Sequence, residues 1–241
     1  MARVKVSRER KSECFNAVKV IIAPEGVSTE VDYFEGVIKY FIEYKGSVSK
    51  RFEQLIDICV IKRGSQENTE EEAKWAIGRS SPSAVVDYAT QYIERVHPEF
   101  DKNIDKVFVV VDKDKWEDKG LSEALTLCKQ KEFEMVISNP AFELWLLLHY
   151  VDVSELSAAE KDKIKDNKKE SPKDSEAYLK VFLKKYIEGF SYKNIDPNDF
   201  LPKTNIALDN AYKLTTPEEG WEGGPFTQLP RVIKFLPIIQ S

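Results

Sequence analysis

The sequence contains few of the residues that bind transition metals or form disulfides. Its three cysteines, Cys14, Cys59 and Cys128, lie far apart and form no CxxC pair. This odd, scattered set argues against a zinc cluster and indicates reduced thiols. Cys59 and Cys128 fall within apolar patterns and are predicted to be core residues. The only two histidines are His97 and His149, which excludes a histidine-rich metal site.

Long apolar runs and glycine-rich nucleotide-binding loops are also absent. The longest uninterrupted apolar runs are short, such as Leu144–Leu148, far below the roughly 20 residues of a membrane span. The basic start, Met1–Lys11, is not followed by an apolar signal core. We therefore expect a cytoplasmic protein without membrane association. Neither GxxxxGK[ST] nor GxGxxG occurs, so an ATPase or a dinucleotide-binding protein has no support.

Length and composition limit the class of fold. The chain has 241 residues, of which 42% are hydrophobic and 32% charged. These values are typical of one large globular domain, or of one domain with an appendage. The formal net charge of −5 creates no overall field that attracts nucleic acid, so such binding would require local basic patches. Candidate patches are Lys45–Arg51, Lys161–Lys173 and Lys184–Lys185.

Strand-like and helix-like segments alternate along the first 151 residues. Strands are predicted at Val18–Ile22, Leu55–Ile61, Val107–Val111 and Phe133–Ile137. Apolar residues at helical spacing predict helices at Thr29–Tyr44 and Ala84–Val96, a helix introduced by Gly120 and Ser122, and a helix at Ala141–Tyr150. This succession predicts an α/β fold with an open, mainly parallel sheet and helices on both faces.

The pattern changes at Asp152. Residues 152–174 are charged and show no apolar period. Helices are predicted after them, at Ser175–Glu188, Lys203–Leu214 and Gln228–Ile239. We therefore predict an α/β domain over residues 1–151 and a helical C-terminal extension over residues 152–241 that packs on it.

Two carboxylates close the predicted strand Val107–Val111. Asp112 and Asp114 follow it one residue apart, and ligands of parallel sheets bind beyond the carboxyl ends of the strands. Two acids placed there repel each other unless a cation lies between them, and oxygen ligands suit Mg²⁺ or Mn²⁺. The alternative is a charged turn that merely closes a buried strand.

A third carboxylate, Glu25, directly follows the first predicted strand. Gly26 comes next and allows the chain to turn tightly, which brings the carboxylate over the strand ends. If the first and third strands are neighbours, Glu25 meets Asp112 and Asp114 at one edge of the sheet. Three converging carboxylates could hold one or two divalent cations, the arrangement used in phosphodiester hydrolysis. The alternative is a turn whose acid faces solvent.

Other polar residues lie near the same predicted edge. Asn139 follows the fourth strand, and Glu143 lies in the first turn of the next helix among apolar neighbours, where a buried carboxylate requires a partner. Glu30 either satisfies the dipole of the first helix or supports a metal site. His149 lies six residues after Glu143, near the far end of that helix, and is predicted to be a packed or helix-ending residue.

Four segments together resemble the RloB/AbiLii-type family, whose members accompany ATPases in phage-defence and restriction loci. They span most of the chain and include the block Ser-Asn-Pro-Ala-Phe-Glu-Leu-Trp-Leu-Leu-Leu-His: Ala23–Phe34, Val109–Asp114, Ser138–His149 and Gly224–Leu229. That family is similar to Toprim domains, which use a Glu after the first strand and an Asp-x-Asp after the third, with Mg²⁺.

The resemblance implies roles for particular residues. Glu25 corresponds to the general acid/base or metal-ligand Glu, and Asp112 and Asp114 to the metal ligands. Lys113, between the two Asp residues, and Lys115, after them, depart from the Toprim pattern. These cations could bind substrate phosphate or lower the metal's occupancy.

Three functional hypotheses follow. The first is a Toprim-type, Mg²⁺- or Mn²⁺-dependent nuclease acting on DNA or RNA (including tRNA) in an anti-phage or restriction-associated system, with a partner ATPase encoded nearby. In it Asn139 and Glu143 support the site. The second is a non-catalytic module that senses nucleic acid or a nucleotide. The third is a nucleotide-sugar transferase, which leaves Glu25 unexplained. The oligomeric state is open, with a homo-oligomer among the alternatives.

Overall fold

Parallel strands form the centre of the protein in a computed structural model, which describes residues 18–44, 56–63, 81–171, 173, 175–192, 195–218 and 220–236. Five strands form one sheet in the described residues: β1 (Val18–Pro24), β2 (Ile56–Val60), β3 (Lys106–Asp112), β4 (Glu134–Asn139) and β5 (Phe226–Thr227). The order across the sheet is β2-β1-β3-β4-β5. The first four strands are parallel, and β5 pairs antiparallel with β4.

Helices follow the strands along the chain. Those of the α/β part are α1 (Thr29–Tyr44), α2 (Pro82–Val96), α3 (Asp118–Lys131) and α4 (Glu143–Leu148). Further along are α5 (Ala158–Asp166), α6 (Tyr178–Leu183), α7 (Thr204–Tyr212) and α8 (Pro230–Ile233), with short 3-10 turns at Val153–Glu155, Pro197–Asp199 and Leu201–Lys203. In the part of the chain that the structure describes, no helix is long and apolar enough to cross a membrane.

The two faces of β3 belong to different apolar cores. Phe108 and Val110 pack with residues of α1, α4 and the later helices. Val107, Val109 and Val111 point the opposite way and pack with residues of α2 and α3. Because successive side chains of a strand alternate between faces, a strand covered on both sides is apolar throughout. The predicted α/β fold, with a mainly parallel sheet and helices on both faces, is confirmed.

Apolar residues from the later helices share the core formed by α1 and α4. The buried residues of this core include Ile164 of α5, Leu179 and Leu183 of α6, Leu208 of α7, and Phe200, which lies between the turns Pro197–Asp199 and Leu201–Lys203. This burial explains why these short helices persist, since helices of six to nine residues are marginal without tertiary packing. The division of the chain at residue 151 stays a prediction.

Several predicted boundaries after residue 140 were wrong. The helix expected at Ala141–Tyr150 is limited to Glu143–Leu148, and that expected at Ser175–Glu188 to Tyr178–Leu183. Residues 152–174 contain α5, which was not predicted because only Ile164 of its residues is buried. The missed signal is a capping box: Ser157 Oγ accepts from Glu160 N, and the Glu160 carboxylate accepts from Ser157 N.

The C-terminal prediction was also incomplete. The two-residue strand β5 was not predicted, because such a short segment carries no periodicity. Within the expected helix Gln228–Ile239, α8 covers Pro230–Ile233, and residues 237–241 lie outside the described residues. The polar segment Gly64–Pro82, whose irregular pattern predicts a loop or a helical turn, lies outside the described residues up to residue 80.

Candidate functional site

Glu25 and Asp112 meet where two neighbouring strands end. Strands β1 and β3 pair in parallel, with Pro24 opposite Val110, and Glu25 N donates to Val110 O at 2.8 Å. The backbone N–H of Asp112 then donates to Glu25 Oε2 at 3.2 Å. Both residues are buried. Strand pairing thus brings together two of the three predicted carboxylates, as expected for neighbouring strands.

The Asp112 carboxylate, at the end of β3, accepts hydrogen bonds from the residue before α4 and from a lysine in the turn after β3. Its Oδ1 accepts from Phe142 N, immediately before α4, at 2.8 Å. Its Oδ2 accepts from Lys115 Nζ at 3.1 Å, and the same ammonium lies 3.7 Å from Glu25 Oε1. One cation therefore bridges the two carboxylates.

Burial dominates the protonation behaviour of both acids. It raises the pKa of Asp112 well above its ordinary value, against the opposing charge of Lys115. It also raises the pKa of Glu25, which the charge of Lys115 lowers in part. Burial lowers the pKa of Lys115, but the charges of Asp112 and Glu25 outweigh it and raise that pKa overall. The ammonium therefore stays protonated while the carboxylates resist ionisation.

Two more acids extend the site. Glu30, near the start of α1, is 6% exposed, and a Cβ at Gly26 would overlap its carboxylate, so a larger residue at that turn would displace the Glu30 side chain. Burial raises the pKa of Glu30 to about 7, with a further contribution from the charge of Glu143. Glu143 is buried, and its Oε1 lies 3.3 Å from Lys180 Nζ. The two acids therefore add negative charge beside Glu25 and Asp112.

Other predicted site residues point elsewhere. Asp114 is exposed and its Oδ2 accepts from Asn167 Nδ2 at 2.9 Å. Lys113 pairs with Asp118 at 3.2 Å. Asn139 Nδ2 donates to the carbonyl oxygen of Gly224 at 3.1 Å, which fastens the segment before β5. The structure therefore does not bring these side chains to Glu25 and Asp112.

His149 is a core residue. It is 1% exposed, its Nδ1 lies 2.9 Å from Trp145 O, and its Nε2 lies 3.5 Å from the hydroxyl of Tyr33. Burial lowers its pKa to about 4. The interpretation of His149 as a packed residue is confirmed.

The side chains at the site have the oxygen atoms that a hard divalent cation prefers, but they are not arranged as a complete coordination site. Among the described residues, no three acidic, histidine or cysteine side chains are placed to hold a metal ion together. Glu25, Glu30, Asp112 and Glu143 nevertheless supply buried oxygen donors, the ligands that Mg²⁺ takes in proteins. Raised pKa values at three of them indicate that neighbouring groups compensate the negative charge incompletely.

Some residues around the site were not identified from the sequence. Arg63 is buried, and although burial lowers its pKa, the charges of Glu25 and Glu30 raise it in part. Its position just beyond β2, at the same sheet edge as Glu25, could have indicated it. Lys180 of α6 reaches Glu143 from the C-terminal helices, whereas Asn167 at the end of α5 bonds Asp114. No local pattern reveals such long-range contacts.

Similarity to known proteins was found at the level of the family. The model of the RloB-like protein family matches residues 20–236. No curated protein and no solved structure matches the chain. The family match covers nearly the whole chain and includes all four buried acids of the site, which are Glu25, Glu30, Asp112 and Glu143. The chain therefore belongs to the RloB family.

Proposed function

We propose that the protein is a Mg²⁺- or Mn²⁺-dependent Toprim-type nuclease that hydrolyses phosphodiester bonds of DNA or RNA, including tRNA. The observation that carries the proposal is the contact between Glu25 and Asp112 at the ends of adjacent parallel strands. The role in anti-phage defence or restriction, and the partner ATPase, rest on the family resemblance alone.

The site residues divide the chemistry among them. A divalent cation held by Asp112 and Glu25 would polarise the scissile phosphate and lower the pKa of an attacking water. Glu30, whose pKa burial raises to about 7, can hold or release a proton near neutral pH. Phe142 N fixes the orientation of the Asp112 carboxylate.

The test is cleavage by the purified chain, with and without a co-expressed ATPase. Supercoiled plasmid, single-stranded DNA and tRNA are incubated with Mg²⁺, Mn²⁺ or EDTA. We expect cleavage that requires the metal and disappears in Asp112→Asn. Equal cleavage by wild type and Asp112→Asn would remove Asp112 from the mechanism.

A second candidate is a non-catalytic module that binds nucleic acid or a nucleotide. It is favoured by the position of Asp114, which is held by Asn167 away from Glu25 and Asp112. Tight nucleic-acid binding in fluorescence anisotropy, without cleavage under any divalent cation or with the ATPase, would support it. Nucleotide-sugar transfer does not account for the Glu25–Asp112 contact.

A further inference from the structure

We propose that Lys115 is the internal counter-ion of the acid site, and that its ammonium group leaves Glu25 and Asp112 when a divalent cation binds them. The inference rests on the proposed function, because it concerns the same carboxylates. In this role Lys115 sets the concentration of divalent cation at which the site fills.

Backbone N–H groups bond one oxygen of each carboxylate, and the other oxygen of each faces Lys115. Asp112 Oδ1 accepts from Phe142 N, and Glu25 Oε2 accepts from Asp112 N. The other two oxygens, Asp112 Oδ2 and Glu25 Oε1, lie 3.1 and 3.7 Å from Lys115 Nζ. A divalent cation shared by these carboxylates would be held by the oxygens that the backbone leaves available, so it would compete with the ammonium for them.

The three side chains differ in how easily they can move. The side chains of Glu25 and Asp112 are 3% and 6% exposed, whereas that of Lys115 is 53% exposed. The carboxylates are also held by backbone N–H groups, and the lysine stem reaches in from solvent. Exchange therefore requires only a rotation of the Lys115 side chain into water, where an ammonium is well hydrated.

The exchange is favourable for the carboxylates because a divalent ion compensates two charges. It also separates the lysine charge from its partners, which opposes metal binding. Removal of the Lys115 charge should therefore tighten metal binding, whereas a purely structural lysine would leave it unchanged or weaken it. At the distances observed, the expected gain in affinity is about tenfold.

The experiment measures Mg²⁺ affinity by isothermal titration calorimetry and Mn²⁺ affinity by electron paramagnetic resonance on the purified full chain. Lys115→Met is compared with wild type and with Lys113→Met. The control removes the same charge from the same turn, at a lysine that pairs with Asp118. We expect about tenfold tighter binding for Lys115→Met, and a change of less than about twofold for Lys113→Met.

A second measurement uses the wild-type protein and needs no variant to fold. Amines are labelled with acetic anhydride at limiting concentration, with and without saturating Mg²⁺, and modification is quantified by mass spectrometry. We expect Mg²⁺ to increase the labelling of Lys115 relative to Lys113, because the released amine becomes free to react.

The outcomes separate this inference from the proposed function. If wild type binds the metal but Lys115→Met binds it no more tightly, and Lys115 labelling is unchanged by Mg²⁺, the counter-ion role is wrong and metal-dependent function stands. If neither wild type nor Lys115→Met binds Mg²⁺ or Mn²⁺, both fail.

Discussion

The backbone N–H of Asp112 donates a hydrogen bond to Oε2 of Glu25, which is 87 positions away in the sequence. The bond is possible because β1 and β3 are adjacent and parallel, so the residues that follow them lie at one edge of the sheet. Together with the bond from Phe142 N to Asp112 Oδ1, it leaves one oxygen of each carboxylate to the ammonium of Lys115.

Asp112→Asn should reduce metal-dependent cleavage about a hundredfold or more, because a metal ligand contributes several kcal/mol to stabilising the charge of the transition state. The amide oxygen can still accept from Phe142 N, so the fold should persist. The measurement is the single-turnover rate of cleavage at saturating Mg²⁺. Asp87→Asn, at an exposed position on α2, is the control and should cleave at the wild-type rate. A loss of less than about threefold in Asp112→Asn would contradict the assignment.

The free energy of unfolding of the Glu30→Gln variant should increase relative to that of wild type as pH rises. The folded-state pKa of Glu30 is raised from 4.5 to about 7, so its favourable contribution is complete below pH 4.5 and is lost as pH rises through about 7. Gln does not titrate. Between pH 5 and pH 8 the stability difference should therefore shift in favour of Glu30→Gln by about 2 to 3 kcal/mol.

The measurement is urea unfolding at both pH values without divalent cations. The charged groups around Glu30 are unchanged in the variant, so their own titration cancels to first order in the comparison; they are Glu25, Arg63, Asp112, Lys115 and Glu143. A stability difference that does not vary with pH would show that Glu30 titrates normally in the folded protein.

Wild type should lose stability as pH falls because of His149, and the His149→Gln variant should lack this loss. The folded-state pKa of His149 is lowered from 6.5 to about 4, so its contribution is complete above pH 6.5 and is lost as pH falls towards 4. Lys203 is the charged residue that also lowers this pKa. Relative to wild type, the variant should gain about 2 kcal/mol between pH 7.5 and pH 5. Urea unfolding of both proteins at the two pH values provides the test. An equal stability difference between variant and wild type at both pH values would contradict the prediction.

Asn167→Gly should release Asp114. Asn167 has a φ of 44° at the end of α5, which glycine tolerates, so the variant mainly loses hydrogen bonds from Nδ2 to Asp114 and from Leu179 N to Oδ1. A loss of about 1 to 2 kcal/mol in the free energy of unfolding is expected. If Asp114 is a metal ligand, Mg²⁺ affinity should rise at the same time.

The matched control for Asn167→Gly is Glu132→Gly. Glu132 ends α3 with a φ of 59°, and its carboxylate pairs with Lys102 on the surface, so glycine replaces a left-handed residue there without touching the acids. Its Mg²⁺ affinity should equal that of wild type. Unchanged affinity in both variants would assign Asp114 to the tether with α5 rather than to metal binding.

The sequence by itself determined the elements that run continuously through apolar cores. The strand Val107–Val111 was predicted because a strand buried on both faces is apolar at every position, and β3 confirms it. The meeting of Glu25 and Asp112 followed from the same reasoning, once their strands were taken as neighbours. The family could also be predicted, since its residue blocks are distributed over most of the chain.

Only the tertiary structure decided which side chains face one another. Asp112 and Asp114 are equivalent in the sequence, but the first is buried against Glu25 and the second is exposed and bonded to Asn167. Sequence periodicity describes which face of one element is buried, whereas such contacts depend on where a distant helix ends. For this reason the carboxylates could be named from the sequence. The placement of the Lys115 ammonium between Glu25 and Asp112, and the hydrogen bond from Asn167 to Asp114, could not.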